Sequence, residues 1–304
     1  MTWFLVGLLA PALWAATNHI DKYLLDRYFK GGGAGALFIF SSIIGVFLIP
    51  IVAIIHPEAL QYPLQAGLLI ALNGALYIVG LMPYVYALQR GDASVVIPLF
   101  QLIPVFSFVL AWIVLGETLT VSELIGGAII IVGSVVLSLE MSDTKKLSFN
   151  KGAFWLMVLA SFLTALSFLF FKFFALEAGL LTTAFWEYVG FSLTAVALFV
   201  FIPAFRRQFL TVLKANRASV LTLNGINETL NILGKLSFNF ASLLVPITLV
   251  WFVVGFQPFF VLAFGILLTL FFPHISKEKI TRGHLTHRLV TICIMLVGTL
   301  FLYL

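Results

Sequence analysis

The stretch ASVLTLNGINETLNILGKLSFNF, residues 218–240, is apolar enough for a membrane helix, yet it carries six amide or charged side chains. At about 100° per residue these six fall within an arc of roughly 120° on one side of a helix. This polar row consists of Asn224, Asn227, Glu228, Asn231, Lys235 and Asn239. A charged side chain at the bilayer centre costs about 2.5 to 3.5 kcal/mol. The sequence therefore predicts that the polar row faces protein or an internal water-filled cavity.

Composition places the remaining chain in a bilayer as well. Of the 304 residues, 62% are hydrophobic and 10% are charged, whereas soluble domains have about 45–50% apolar and about 25% charged residues. No stretch is long and polar enough for a soluble domain, so function must lie within the helix bundle. The single cysteine, Cys293, excludes an intrachain disulfide and a cysteine-based metal cluster. We expect no catalytic group, cofactor or bound metal.

The hydropathy pattern predicts ten membrane-spanning helices. In chain order, these spans cover residues 2–20, 35–55, 66–88, 93–115, 121–139, 152–175, 181–203, 218–240, 241–272 and 285–304. Most are close to the roughly 20 residues that a membrane helix requires. The N-terminal apolar run has no positively charged segment before it and leads directly into the pattern. We therefore expect it to be the first span and not a cleaved signal.

Positive charge is distributed unevenly among the connections. Fifteen of the seventeen Lys and Arg residues follow odd-numbered spans, and the exceptions are Lys172 and Lys235. The positive-inside rule then predicts cytoplasmic odd-numbered connections and non-cytoplasmic termini in a multi-pass protein of the plasma (inner) membrane. These loops also account for the net charge of +5. The expected partners are the lipid bilayer and a small-molecule substrate, not nucleic acid, and the protein is expected to be a monomer or homodimer.

The second half of the chain repeats motifs of the first half in the same order. LNG at 72–74 recurs at 223–225, ASVVIP at 93–98 recurs as ASLLVP at 241–246, and Lys22 matches Lys172. Five helices are an odd number, so two such repeats enter the membrane in opposite senses. Inverted repeats are typical of secondary transporters, which bind substrate near the midplane between the halves.

Prolines interrupt spans 4 and 9 at corresponding places. They are Pro98 and Pro104 in span 4, and Pro246 and Pro258 in span 9. Each internal proline removes a backbone donor and frees a carbonyl. Irregular backbone inside a membrane is tolerated where protein covers it or where it lines a cavity. The paired occurrence favours a functional break over a plain helix kink.

Several motifs of the first half resemble the EamA-type repeat of the drug/metabolite transporter superfamily. They are YALQRGDAS at 86–94, PL at 98–99, PVF at 104–106, LGETLT at 115–120, the glycines from Gly126 to Gly133, and Trp14 and Lys22. The second half is more divergent, with FFPH at 271–274 where LGE is expected. The resemblance implies an all-α integral membrane fold with ten transmembrane helices, arranged as two inverted five-helix repeats around a central cavity.

The resemblance also implies a domain organisation and an activity. Residues 1–140 form the first EamA-like repeat, 141–151 a cytoplasmic linker and 152–304 the second repeat. The implied activity is secondary transport of small organic solutes, often export. Members of the family are usually described with cytoplasmic termini, whereas the charge distribution here predicts the opposite orientation.

Helical phase selects the side chains that are expected to face the cavity. In span 3, Asn73, Tyr77 and Tyr84 occupy the phase of the polar row in span 8, so these two helices are expected to face each other. The expected substrate-binding residues are Trp14, Asn18, Asn73, Tyr77, Tyr84, Gln101, Asn224, Asn227, Asn231, Trp251 and Gln257. Aromatic walls with a few amides and charges suit amino-acid-like or amphipathic metabolites.

Four charged residues within the spans are candidates for coupling: Glu228, Lys235, Glu187 and Lys172. A buried carboxylate that takes up and releases a proton is one way for a proton gradient to drive transport. The alternative for Glu228 is a structural network with a lysine or an amide. For Glu187 we expect Lys172 or Lys235 as the partner, or an interfacial position. We expect Glu117 to be solvated, or to close its turn.

Two other functions are compatible with the same residues. A membrane-embedded enzyme acting on lipid would use Glu228 or Glu187 as a base, although the dense constellation typical of such enzymes does not occur in the sequence. A flippase would move a lipid or lipid-linked substrate between leaflets. A lateral opening between the bundles favours the lipid, and a closed wall with an aqueous mouth favours the soluble metabolite.

The charge distribution makes the orientation testable. A tag fused after Leu304 is expected to react with an impermeant reagent added from the non-cytoplasmic side, because the odd-numbered connections hold the positive charge. A second tag, inserted between Lys145 and Lys146, is the matched control and should react only after the membrane is permeabilised. The reverse labelling pattern would contradict the charge-based orientation.

Overall fold

The computed structural model describes residues 2–27, 34–90, 97–140, 150–215, 217–271 and 282–303. Within these ranges the chain is helical apart from short connections, and they contain no β-strand. The all-α prediction is therefore confirmed for the described chain. Most of the predicted linker, residues 141–149, lies outside the described residues.

The predicted spans of the first half correspond to helices. These are α1 (Thr2–Arg27), α2 (Ala34–Ile55), α3 (Leu64–Arg90), α4 (Ile103–Leu115) and α5 (Val121–Glu140). A 3-10 turn, Ile97–Leu102, precedes α4, and Pro104 lies in the first turn of α4, where its missing N–H leaves no hydrogen bond unmade. Span 4 is thus interrupted near its prolines, as predicted. Gly116 ends α4 with a left-handed φ of 67°, a conformation that favours glycine.

The second half contains more helices than predicted spans. They are α6 (Lys151–Ala178), α7 (Leu180–Phe201), α8 (Pro203–Ala215), α9 (Arg217–Leu244), α10 (Ile247–Val254), α11 (Gln257–Phe271) and α12 (Arg282–Phe301). The basic connection after span 7 is in fact the amphipathic helix α8, whose Phe209 and Val212 are buried while Arg207 and Lys214 are exposed. Helix α9 continues past the predicted end of span 8, and span 9 divides into α10 and α11 after the break at Pro246.

Six segments of the described chain are long and apolar enough to cross a membrane. They are Thr2–Leu24, Gly35–Ile55, Leu64–Ala87, Lys151–Ala178, Leu180–Phe201 and Ile247–Phe271. Shorter apolar helices cover Leu99–Leu115, Val121–Val136 and Val290–Phe301. Helix α9 is not among the six, because its polar row lowers its mean hydropathy. The protein is a multi-pass membrane protein in which α9 depends on its neighbours to enclose its polar side chains.

Helices from the two halves interlock in the bundle. Helix α1 packs against α9, and α3 packs against α6 and α7. The pairs α2 with α7 and α5 with α12 also join the halves, while α4 contacts α6 and α1 contacts α10 and α11. The interior is therefore shared, and neither half encloses it alone.

Glycines allow α3 and α7 to approach each other closely. A Cβ atom added to Gly190 would overlap the carbonyl oxygen of Ala71, and one added to Gly74 would overlap the carbonyl oxygen of Glu187. Both obstacles are backbone atoms, which cannot rotate away as a side chain would. This close contact brings the Glu187 side chain of α7 next to Asn73 of α3.

The close contact of α3 with α7 predicts how a methyl group added at Gly190 changes stability. Gly190→Ala is expected to lower the free energy of unfolding by about 1–3 kcal/mol, because overpacking forces the two helices apart. Thermal unfolding of the purified protein in detergent measures the change. The matched control is Gly225→Ala on α9, where an added Cβ meets nothing within 4 Å. Equal losses in the two variants would contradict the assignment.

Candidate functional site

The polar row of α9 faces protein, as predicted. Five of its six residues are at most 5% exposed, and Asn231 is partly buried. On the opposite face of α9, Ile226 and Leu233 are 48% and 49% exposed. Helix α9 thus turns its charged side chains towards protein, because burying them in lipid hydrocarbon would be costly.

Glu228 is the centre of a cluster of acids and their hydrogen-bond donors. Its Oε1 accepts a hydrogen bond from Ser41 Oγ at 2.6 Å, and its Oε2 accepts one from Asn231 Nδ2 at 3.3 Å. Beside it, Asn227 Nδ2 donates to Asp21 Oδ1 at 2.7 Å. We call these five residues the acid cluster. Among the described residues, neither carboxylate of the acid cluster has an ion-pair partner within 4.0 Å.

Sequence reasoning placed Asp21 on the cavity-facing side of span 1 with Trp14, but did not identify Ser41 as a member of this site. Asp21 lies two turns after Trp14 on α1, so helical phase was a usable signal for it. Ser41 is one of two adjacent serines in an otherwise apolar helix, and nothing in its local sequence predicts an acid partner 187 positions away.

Lys235 and Glu187 form a second buried group. Lys235 Nζ lies 2.6 Å from Glu187 Oε1, and Asn73 Nδ2 donates to the same oxygen at 3.2 Å. Four aromatic rings, the aromatic cage, surround the ammonium, with centroids at 4.0 Å for Tyr77, 5.1 Å for Phe191, 5.3 Å for Phe168 and 5.8 Å for Phe171. Of the two partners expected for Glu187, the structure selects Lys235. Cation–π attraction adds to this ion pair because the site is desolvated.

The expectation of a solvated Glu117 is wrong. Glu117 forms an ion pair with Lys172, and its Oε2 accepts a hydrogen bond from Ile247 N at 2.8 Å. Lys172 Nζ also donates to Val245 O at 2.8 Å. These backbone groups flank Pro246, so the carboxylate caps the start of α10 and the ammonium binds a carbonyl at the end of α9. An acid of the first half therefore stabilises the proline break of the second half.

Trp14 and Trp251 belong to an aromatic group next to the cage. Their ring centroids lie 6.4 Å apart, and both rings contact Phe168 and Phe238. Trp14 Nε1 donates to the backbone oxygen of Asn231 at 3.3 Å. These rings therefore connect the polar row to the aromatic cage through Phe168.

Five of the expected substrate-binding residues lie away from these clusters or bind other groups. Asn224 Nδ2 donates to Val220 O of its own helix at 2.8 Å, and Gln101 Nε2 donates to Ser134 Oγ at 2.8 Å. The Tyr84 ring packs on Phe100 with centroids 4.6 Å apart. Asn18 is exposed, and Gln257 is partly buried at the start of α11. Helical phase gave the direction of these side chains but not their partners.

The protein is thus a polytopic helical bundle that encloses a polar site. The site contains buried acids, amides, an ammonium and aromatic rings. Residues 1–139 match the model of the EamA-like transporter family. This match confirms the resemblance that the motifs of the first half indicate.

Two further comparisons concern length and fold. The uncharacterized protein MJ1333.1 of Methanocaldococcus jannaschii is 26% identical over 141 residues, which are 46% of this chain and 98% of that protein. A protein of about half this length is therefore similar to part of the chain. A solved crystal structure, described only as that of a protein, covers 99% of this chain with a TM-score of 0.65 and 13% identity, and 96% of its own chain is matched. At this identity the likeness shows the fold alone.

The ion pair between Glu117 and Lys172 predicts strong coupling between the two residues. Lys172→Met is expected to lower the free energy of unfolding by about 3–5 kcal/mol, because it leaves a partly buried carboxylate without its cation. The double variant with Glu117→Gln should lose less than the sum of the two single variants. Thermal unfolding in detergent measures both effects.

The matched control for this pair is Lys22→Met. Lys22 corresponds to Lys172 in the repeat but is exposed, so its replacement should leave stability unchanged. Additive losses in the double variant, or an equal loss for Lys22→Met, would contradict the structural role of the pair.

Proposed function

We propose that the protein is a secondary active transporter of small organic metabolites, with ten helices in two inverted repeats and alternating access around the buried polar site. The observation that carries this proposal is that most of the large helix contacts occur in pairs that exchange under the repeat. The resemblance of the first half to a transporter family supports the same activity.

The repeat matches α1 with α6, α2 with α7, α3 with α9, α4 with the pair α10 and α11, and α5 with α12. Under this exchange, the contact of α1 with α9 becomes the contact of α3 with α6, and both occur. The contact of α4 with α6 likewise becomes that of α10 and α11 with α1. Of the remaining large contacts, α2 with α7 and α5 with α12 exchange with themselves, whereas the close contact of α3 with α7 has no counterpart of similar size between α9 and α2. A pseudo-two-fold axis in the membrane plane would produce the paired contacts.

The buried site draws on both repeats, which alternating access requires. The acid cluster joins Asp21 of α1 and Ser41 of α2 to α9, and the Lys235 ion pair joins α9 to α7 beside α3. Glu187, Glu228 and Lys235 are at most 5% exposed, so this conformation is occluded at these groups. Rocking of one repeat against the other would open the site to one side at a time.

Glu228 is the proposed proton carrier. An ionised carboxylate is costly inside a bilayer unless it is paired, and the described partners of Glu228 are a hydroxyl and an amide. Protonation removes this cost when the site is closed, and opening to water on either side allows the proton to leave. Export of the metabolite in exchange for protons is the proposed direction. The aromatic walls and amides suit amino-acid-like or amphipathic solutes.

A solute screen in proteoliposomes with an imposed pH gradient tests this proposal. The parent protein is expected to accumulate its solute against the solute gradient. Glu228→Gln should abolish accumulation while solute–solute exchange continues, because the variant still binds solute but carries no proton. Accumulation at the parental rate in Glu228→Gln would overturn the proton-carrier role.

The matched control is Glu58→Gln. Glu58 is an exposed acid in the 3-10 turn before α3, so its replacement should leave accumulation at the parental level. If the parent moves no solute of the screen but exchanges lipid analogues between leaflets, the flippase alternative replaces the metabolite transporter.

A further inference from the structure

Lys235 is bound by groups that recognise ammonium ions in general. Its Nζ has a carboxylate oxygen at 2.6 Å and the aromatic cage around it, with the Tyr77 ring centroid at 4.0 Å. Aromatic faces within about 6 Å of a cation attract it, and such cages are a common way to bind organic ammonium groups. The chemistry of the site is therefore not specific to a lysine side chain.

We propose that Glu187 and the aromatic cage form a subsite for the ammonium group of a transported solute, and that Lys235 occupies this subsite when no solute is bound. The solute displaces the Lys235 ammonium from Glu187. This inference rests on the proposed transport function and names the solute class of that site: molecules that carry an ammonium group together with an anionic group.

The subsite remains complete when Lys235 is removed. Glu187 and Phe191 belong to α7, Tyr77 belongs to α3, and Phe168 and Phe171 belong to α6. Only the ammonium itself comes from α9. Lysine has a flexible four-carbon stem, so its ammonium can leave the cage without moving the groups that form it.

Asn73 offers an unused acceptor beside Glu187. Its Nδ2 donates to Glu187, whereas its buried Oδ1 has no hydrogen-bond partner among the described residues. An ammonium has three N–H donors. A solute ammonium bound to Glu187 can therefore use a second donor for Asn73 Oδ1, which would lower the cost of burying that amide oxygen.

The other buried lysine shows what a permanently fixed ammonium looks like. Lys172 binds both a carboxylate and a backbone carbonyl, and no aromatic ring encloses it within the described chain. Its contacts stabilise the helix break at Pro246. Removal of the Lys172 ammonium would therefore not vacate an aromatic cage. Lys172 is therefore a matched comparison for Lys235.

Charge balance selects the solute class. When a simple monocation displaces Lys235 from Glu187, the released ammonium stays in the occluded bundle and loses the ion-pair partner that it has among the described residues, which is costly. A solute with an anionic group supplies that counter-charge to Lys235. The parent protein should therefore prefer a zwitterion over the corresponding simple ammonium.

Two probes of equal chain length test this preference: n-butylammonium and 4-aminobutanoate, with 1-butanol as the neutral control. Binding to the purified full chain in detergent is measured by calorimetry. The parent is expected to bind 4-aminobutanoate about tenfold or more tightly than n-butylammonium, because only the zwitterion neutralises Lys235. Lys235→Met should reverse the order, since the vacated cage then accepts the simple cation.

Three further variants make the outcome decisive. Adding Glu187→Gln to Lys235→Met should abolish binding of n-butylammonium, and Lys22→Met, which removes an exposed lysine, should behave as the parent. Lys235→Gln replaces Lys235→Met if the latter elutes as aggregate. Binding of n-butylammonium that does not depend on Glu187, or that Lys22→Met gains equally, overturns the subsite. So does an unchanged order of the probes in both Lys235 variants.

The binding measurement is independent of transport. If the probes follow the predicted order while the parent accumulates no solute in proteoliposomes, the transport proposal fails and the subsite stands. If proton-driven accumulation occurs but probe binding does not depend on Glu187, the subsite fails and the transport proposal stands.

Discussion

The dominant constraint on this protein is that charged side chains must be neutralised where the surrounding lipid cannot solvate them. Two ion pairs satisfy this constraint, namely Glu187 with Lys235 and Glu117 with Lys172. The acid cluster meets it with a hydroxyl and amides, without a cation among the described residues. Apart from the hydrogen bond of Asn231 to Glu228 within α9, these contacts join separate segments of the chain, so the helices must assemble before the charges are compensated.

The two ion pairs differ in what else binds them. The pair of Glu117 with Lys172 also binds backbone groups on both sides of Pro246, so it fixes a break in the main chain. Among the residues that the structure describes, the partners of the pair of Glu187 with Lys235 are side chains, namely aromatic rings and one amide. Backbone partners make the first pair part of the scaffold, whereas the side-chain partners of the second pair are compatible with the proposed displacement of its ammonium. This difference distinguishes a structural lysine from the lysine of the proposed subsite.

Much of the fold could be predicted from local signals. Composition indicated a multi-pass membrane protein, helical periodicity placed the polar row inside, and prolines marked where spans 4 and 9 break. Local signals failed for a polar segment that forms a helix: the basic connection after span 7 was expected to be a loop but is the amphipathic helix α8. They also failed for Glu117, because its position between two spans suggested solvent while its partners lie in the other half of the chain.

The sequence by itself determined which side of each helix is polar, since that follows from residue spacing along one helix. Only the tertiary structure decided which polar groups meet. Glu187 binds Lys235 and not Lys172, Ser41 reaches Glu228 across 187 positions, and Asn224 bonds to its own helix instead of a neighbour. Helical periodicity gives the angle of a side chain around its own helix axis, but it does not give the distance between the axes of two helices. That distance depends on close helix contacts such as the one at Gly190, which arise only when the bundle is assembled.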